Sequence, residues 1–318
     1  MILDNKKASR SVEINLDGSR AVIAVAFACA IAAACTGRSD SGTAHPQVAP
    51  APRLRVACTI TTLCSLVASV GGDRIELHGI VPAGASPETF EPRPDDMVAL
   101  SGASVLFENG LGLEAWLARL IDAAGGAGLR IETLSDSVPA ADKASGNPHL
   151  WMDPVYAADY VATIARTLES ADPQNASVYE QNASIETAKL VSLDGWIRYH
   201  MNMIPRDRRA MICFHDAWSY FDRRYGIKDV GAIEPLPGQE PAPGSFARLI
   251  ALAKANHVRA IFGEPQYSPK LADALASGAN IAYVTNLYDD TLGTGGVAAD
   301  YDSMMRHDVE TIVGALRR

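Results

Sequence analysis

The 318-residue chain has little positive charge, few cysteines and no long apolar run. Its 28 Lys and Arg face 37 Asp and Glu, giving a formal net charge of -9 with histidines neutral. That balance leaves no electrostatic footprint for nucleic acid and suits a cationic ligand. No GxxxxGK[ST] phosphate loop occurs, which argues against a P-loop ATPase. HExxH and CxxC spacings are missing too, which excludes the common local zinc motifs. Hydrophobic residues make up 48% and charged residues 20%, which argues against a disordered chain. The length is enough for one large or two ordinary cores.

Residues 21–34 read AVIAVAFACAIAAA, fourteen apolar residues preceded by Lys6, Lys7, Arg10 and Arg20. This suits a signal-peptide core and falls short of the roughly 20 residues that span a bilayer. The run ends in Ala33-Ala34-Cys35, which resembles the cleavage and lipidation box of bacterial lipoproteins, although Ala32 stands where Leu is usual. Residues 1–34 are therefore expected to be a lipoprotein signal, with Cys35 carrying lipid. Residues 35–52 have almost nothing to bury and read as a flexible tether. Beyond them Cys58, Cys64 and Cys213 remain, an odd number that cannot all pair in one chain. Cys58 and Cys64 could meet, but Cys58 falls in a strand pattern and Cys64 in the following helix pattern, so free buried thiols are expected over a pair.

From residue 54 apolar strand-like runs alternate with short amphipathic segments: LRVACTI, IELHGIV and ASVLFEN are strands, with helices over 63–72, 93–100 and 114–123. A further strand at 129–133 and a helix over 154–168 follow. Then comes a stretch from Asp172-Pro173 free of Gly and Pro until Gly195, with Val178, Ile185, Leu190, Leu193 and Ile197 near helical spacing. It is longer than a typical globular helix. The alternation resumes at 209–214 and runs to a last helix over 302–316. The expected fold is α/β, with two parallel-sheet lobes at 53–172 and 205–318 joined by a linking helix at 173–204.

Three strand-to-helix loops carry coordinating side chains where open α/β sheets bind ligands: those around Glu88, His149 and His215. Taken alone, each histidine is more often structural than a ligand.

Taken in order, residues 84–92 (GASPETFEP), 147–154 (NPHLWMDP), 215–221 (HDAWSYF), 238–241 (GQEP) and 262–266 (FGEPQ) closely resemble the solute-binding proteins of zinc and manganese ABC transporters. The resemblance covers about residues 54–312. It implies two α/β lobes bridged by one rigid helix, a metal held between them, and delivery to a membrane permease with its ATPase. The chain would be exported, periplasmic or on the outer face of the cytoplasmic membrane, monomeric, and not an enzyme.

The family has four ligand positions. His149 fills the second and His215 the third, while Glu88 stands at the first in place of the usual His. Thr285 falls where the pattern has Asp, so Asp289, or less favourably Asp290, is expected to supply the missing carboxylate. The expected ligands are Glu88, His149, His215 and Asp289. Two neutral imidazoles with two carboxylates would compensate a divalent cation. Zn2+ is preferred on His215, and Mn2+ or Fe2+ is the alternative that Glu88 favours. Two contrary readings stay open: an adhesion or interaction protein with a degenerate site, and a metallohydrolase using Glu88 as base.

Overall fold

The computed structural model describes residues 52–317, except 126–127, 236–237 and 239–240. The expected signal (residues 1–34), Cys35 with its expected lipid, and nearly all of the expected tether lie outside the described residues. No described helix is long and apolar enough to cross a membrane.

Two four-stranded sheets form the framework, and every strand pair in both is parallel. The first has the order β2-β1-β3-β4, with β1 at Leu54–Cys58, β2 at Ile75–Gly79, β3 at Val105–Glu108 and β4 at Arg130–Thr133. The second repeats that order as β6-β5-β7-β8, with β5 at Ala210–His215, β6 at Lys228–Glu234, β7 at Ala260–Phe262 and β8 at Ala282–Val284. In each sheet the chain moves outward in opposite directions from its first strand. The crevice at the carboxyl ends of β1/β3 and β5/β7 is therefore a topological switch point, where such sheets bind ligands.

Helices α1 (Thr61–Gly71), α2 (Pro94–Ser101), α3 (Leu117–Ala124) and α4 (Pro154–Ala171) belong to the first half. Asp153 caps α4 by accepting from Val155 N–H, and Pro154 occupies the first turn, where its missing N–H costs nothing. Helix α3 starts three residues later than the apolar pattern implies, because Glu114 turns inward. Its carboxylate accepts from Thr59 Oγ1 at 2.7 Å and from the N–H groups of Asn109 and Gly110 at 2.8 and 3.0 Å.

The linking helix, α5, spans Ala176–Met201 after a 3-10 turn at Pro173–Asn175. Leu190, Leu193 and Ile197 are buried as the periodicity implies, but Ile185 is 49% exposed. In the first half of α5 the inward face is Tyr179, Ala183 and Glu186 instead. A tyrosine whose hydroxyl donates to Asp172 and a glutamate paired with Lys189 carry no hydrophobic signal, so the apolar spacing there points to a different face.

Helices α6 (Ser219–Tyr225), α7 (Pro243–Ala255), α8 (Pro269–Ala279) and α9 (Tyr301–Leu316) complete the described chain. Alternation along β5 serves two cores. Ala210, Ile212 and Phe214 pack with residues of α7 and α8, whereas Met211 and Cys213 join the larger core that includes the first sheet, α4, α5 and α9. Helix α9 packs against α5 and α1.

One expectation needs correcting. Cys58 and Cys64 form a disulfide, with Cα atoms 5.5 Å apart, and Cys213 is the buried free thiol. The strand and helix patterns are both present, but the turn at residues 59–60 folds the first turn of α1 back over the end of β1, which brings the two positions within bridging distance.

Candidate metal centre

His215 is the last residue of β5 and is buried. Its Nδ1 lies 2.5 Å from Glu264 Oε2, just past the end of neighbouring β7. The carboxylate fixes Nδ1 as the protonated nitrogen and turns Nε2 outward as a lone-pair donor. His149 is oriented in the same way by a different partner. Its Nδ1 is 2.8 Å from Asn147 Oδ1, while Asn147 Nδ2 donates to the carbonyl of Asp216 at 2.6 Å, which fixes the amide's orientation. The two Nε2 atoms come within 3.2 Å of each other.

Two carboxylates converge on the same point. Glu88 Oε1 is 3.4 Å from His149 Nε2 and 3.9 Å from His215 Nε2. Asp290 places Oδ1 3.2 Å from His149 Nε2 and Oδ2 3.4 Å from His215 Nε2. A tetrahedral ion with bonds of about 2.0–2.1 Å needs donors about 3.3 Å apart, so these spacings fit one small cation. Glu88 Oε1 and both Asp290 oxygens are buried without a hydrogen-bond partner, as expected of groups shaped for an ion.

In the metal-free site, charge is balanced by protons. Burial alone would lower His149, but its contact with Asp290 and then Glu88 pushes it up to about 9. Burial would raise Glu88, yet His149 and His215 hold it down at about 2. Burial pushes Asp290 up to about 6 and Glu264 up to about 8. A cation arriving at Nε2 must displace the proton held there.

Glu88, His149 and His215 are thus brought together. Asp289 is buried nearby but faces the other nitrogen of His215, with Oδ2 3.8 Å from Nδ1. Its Oδ1 accepts from Asp290 N–H at 2.6 Å and from Gln266 at 3.0 Å. His215, Glu264 and Asp289 form a second close group of potential ligands. Thr285 is exposed and belongs to neither group. Asp216, next in sequence to His215, is exposed, and Glu264 orients the imidazole instead. The missed signal was position: a Glu just beyond β7 sits beside the end of β5 once the strands pair.

Beside the donors opens a cleft of about 350 Å3, lined by residues that include Leu111, Leu113, Ser145, Pro148 and Pro235. Trp116 Nε1 donates to Pro87 O at 2.7 Å and Asn109 Nδ2 to Pro148 O at 2.9 Å, steadying the two loops that bring in Glu88 and His149.

Two parallel-sheet halves on one long helix, with imidazole and carboxylate donors converging in the crevice between them, define a solute-binding protein for a cation. The family model described as zinc-uptake complex component A, periplasmic, matches residues 56–315, and the chain belongs to that family. The manganese-binding lipoprotein MntA of Halalkalibacterium halodurans is 30% identical over 288 residues, covering 90% of this chain and 94% of the relative. The manganese ABC transporter substrate-binding lipoprotein PsaA of Streptococcus pneumoniae is 27% identical over 278 residues, covering 84% and 90%. Among solved structures, the periplasmic zinc binding protein TroA from Treponema pallidum shares the fold with a TM-score of 0.78 at 24% identity, covering 84% of this chain and all 100% of that one. The crystal structure of ZnuA gives 0.74 at 28% identity, covering 83% and 99%.

Proposed function

We propose that the protein captures one divalent transition-metal ion with Glu88, His149, His215 and Asp290 and hands it to an ABC permease powered by a separate ATPase. The observation that carries this reading is the pair of imidazoles whose Nδ1 atoms are both engaged, leaving both Nε2 atoms facing Glu88 Oε1 and the two Asp290 oxygens, which have no other hydrogen-bond partner. Asp290 takes the place that Asp289 held in the expectation from sequence, and Asp289 supports it from behind through the Asp290 N–H. The role is binding and delivery, with no catalytic step, in keeping with the solute-binding relatives.

Two neutral imidazoles and two carboxylates suit Zn2+. Mn2+ is the second reading, because Asp290 presents one oxygen to each histidine and can serve as a two-oxygen ligand, which raises the donor count toward what manganese favours. The relatives named for manganese point the same way. The test is metal analysis of protein purified without added metal, followed by competition between Zn2+ and Mn2+. A protein that retains neither ion would end this reading.

The chain is exported, to the periplasm or the outer face of the cytoplasmic membrane. The lipoprotein relatives support cleavage before Cys35, a lipid on that residue, and residues 35–52 as the tether. The lobes are assigned to 53–172 and 205–318, with 173–204 linking them, and the protein acts as a monomer.

A further inference from the structure

We propose that the Cys58–Cys64 disulfide is a thiol–disulfide exchange site, and that opening it speeds release of the bound ion. The inference rests on the metal-capture reading.

The bridge sits where the first half of the molecule grips the loop carrying Asp290. Helix α1 starts without a side-chain cap, since Ile60 occupies the N-cap position. Its first turn is instead braced covalently to the end of β1 by the disulfide. That turn presents Thr61, whose Oγ1 accepts from Leu292 N–H at 2.8 Å, two residues past Asp290. One turn further on, Ser65 Oγ accepts from Tyr301 N–H at 3.0 Å. Thr291 completes the grip: its Oγ1 accepts from Gly84 N–H at 2.7 Å, joining the loop of Glu88 to that of Asp290. Both carboxylate arms are therefore registered against the α1 turn. These bonds touch the backbone of the two loops and no ligand side chain, so they act on the ion by setting where the loops hold Glu88 and Asp290.

The bridge is also reachable. Cys64 lines an open groove of about 580 Å3 together with Thr61, Ser65, Pro82, Leu292 and Ala299. Cys58 is fully buried, so attack is directed to Cys64. The matching reactant is a dithiol. Its thiolate attacks Cys64 Sγ, and Cys58 Sγ leaves as a thiolate that takes a proton. The reagent's second thiol then attacks the mixed disulfide and releases Cys64 as a thiol. The net change moves two electrons to the protein and leaves the reagent as its disulfide. Thr61 then hangs on a turn without its covalent brace, held by packing and by hydrogen bonds such as Cys64 N–H to the Ile60 carbonyl at 2.9 Å.

The experiment measures release of Zn2+ and Mn2+ to excess EDTA by stopped flow. It compares full-length oxidised protein, protein reduced with dithiothreitol and desalted under argon before metal loading, and the double variant Cys58→Ser/Cys64→Ser. Release should be about tenfold faster in the last two, and the double variant should not respond to dithiothreitol. With the disulfide intact, Thr61→Val should move release in the same direction and Thr61→Ser should restore it; this pair decides the matter if the double variant fails to fold. Indistinguishable release rates across all forms, or a bridge that dithiothreitol leaves intact in the folded protein by mass after alkylation, would overturn the inference while leaving metal capture standing. Oxidised protein that holds neither ion would overturn both.

Discussion

The two sheets have the same strand order, yet they deliver the proposed ligands differently. In the second half the key side chain is the last residue of a strand: His215 ends β5, and the Glu264 that orients it lies two residues beyond β7. In the first half Glu88 lies nine residues past the end of β2, and His149 follows a long loop after β4. A strand clamped between two cores fixes His215 before any ion arrives. Loops must instead be steadied one hydrogen bond at a time, by Ser86, Trp116, Asn109 and Asn147. The difference separates a rigid half of the site from an adjustable half, and that separation can be broken experimentally.

The largest effect is expected at His215. Replacing it with Ala should cost at least about 100-fold in metal affinity by calorimetry and should also lower the melting temperature of the metal-free protein, because Glu264 is left buried without its partner. His149→Ala should lose similar affinity with a smaller loss of melting temperature. Equal destabilisation by the two would erase the distinction between halves.

Next come the adjacent aspartates. Asp290→Asn should weaken binding by about 100-fold and Asp289→Asn by about tenfold, if the first touches the ion and the second only positions it. Thr285→Val should change nothing. The reverse order, measured by competition with a chromogenic chelator, would move Asp289 into the ligand set.

A third effect is pH dependence. Because His149 is raised to about 9 in the metal-free site, binding below that pH must expel its proton. Apparent affinity should therefore rise by about tenfold per pH unit for each proton displaced, with the share of His149 levelling off above about pH 9. Below about pH 6, where Asp290 also takes a proton, the slope should steepen. The same shift works the other way on the metal-free fold. Stability from His149 is fully present below its ordinary 6.5 and is lost as pH rises through about 9. Calorimetry in buffers of different ionisation enthalpy counts the protons.

The smallest expected effect is in the steadying of the loops. Trp116→Phe removes the bond to Pro87 O while keeping most of the packing, and should weaken binding by only about threefold to tenfold, in line with one modest hydrogen bond. A loss as large as that of His149→Ala would mean that the Glu88 loop is as rigid as β5.

Much of this was legible in sequence, for reasons that vary by residue. Parallel strands buried on both faces read as apolar runs, so β1, β3 and β5 were found with nearly correct ends. His149 and His215 were visible because Pro148 and the MICF strand frame them. The pairing of Cys58 with Cys64 was not visible, because it depends on how a two-residue turn folds. Nor was the choice between Asp289 and Asp290. Neighbouring residues in a loop project in different directions, and only the three-dimensional course of that loop shows that one faces Nδ1 of His215 and the other Nε2. The role of Glu264 depends on the adjacency of β5 and β7, which no local pattern encodes.

The linking helix has a mechanical consequence. At 26 residues α5 is a rod of about 39 Å, and a bend of about 2° along such a lever displaces its far end by about 1.4 Å. Metal–ligand bonds tolerate only about 0.2 Å. Bending well below a degree is therefore enough to detune the coordination sphere. The packing of α1, α4 and α9 along the rod acts as bracing against flexure, so a cavity cut beneath Leu193, far from any ligand, would register as a looser grip on the ion.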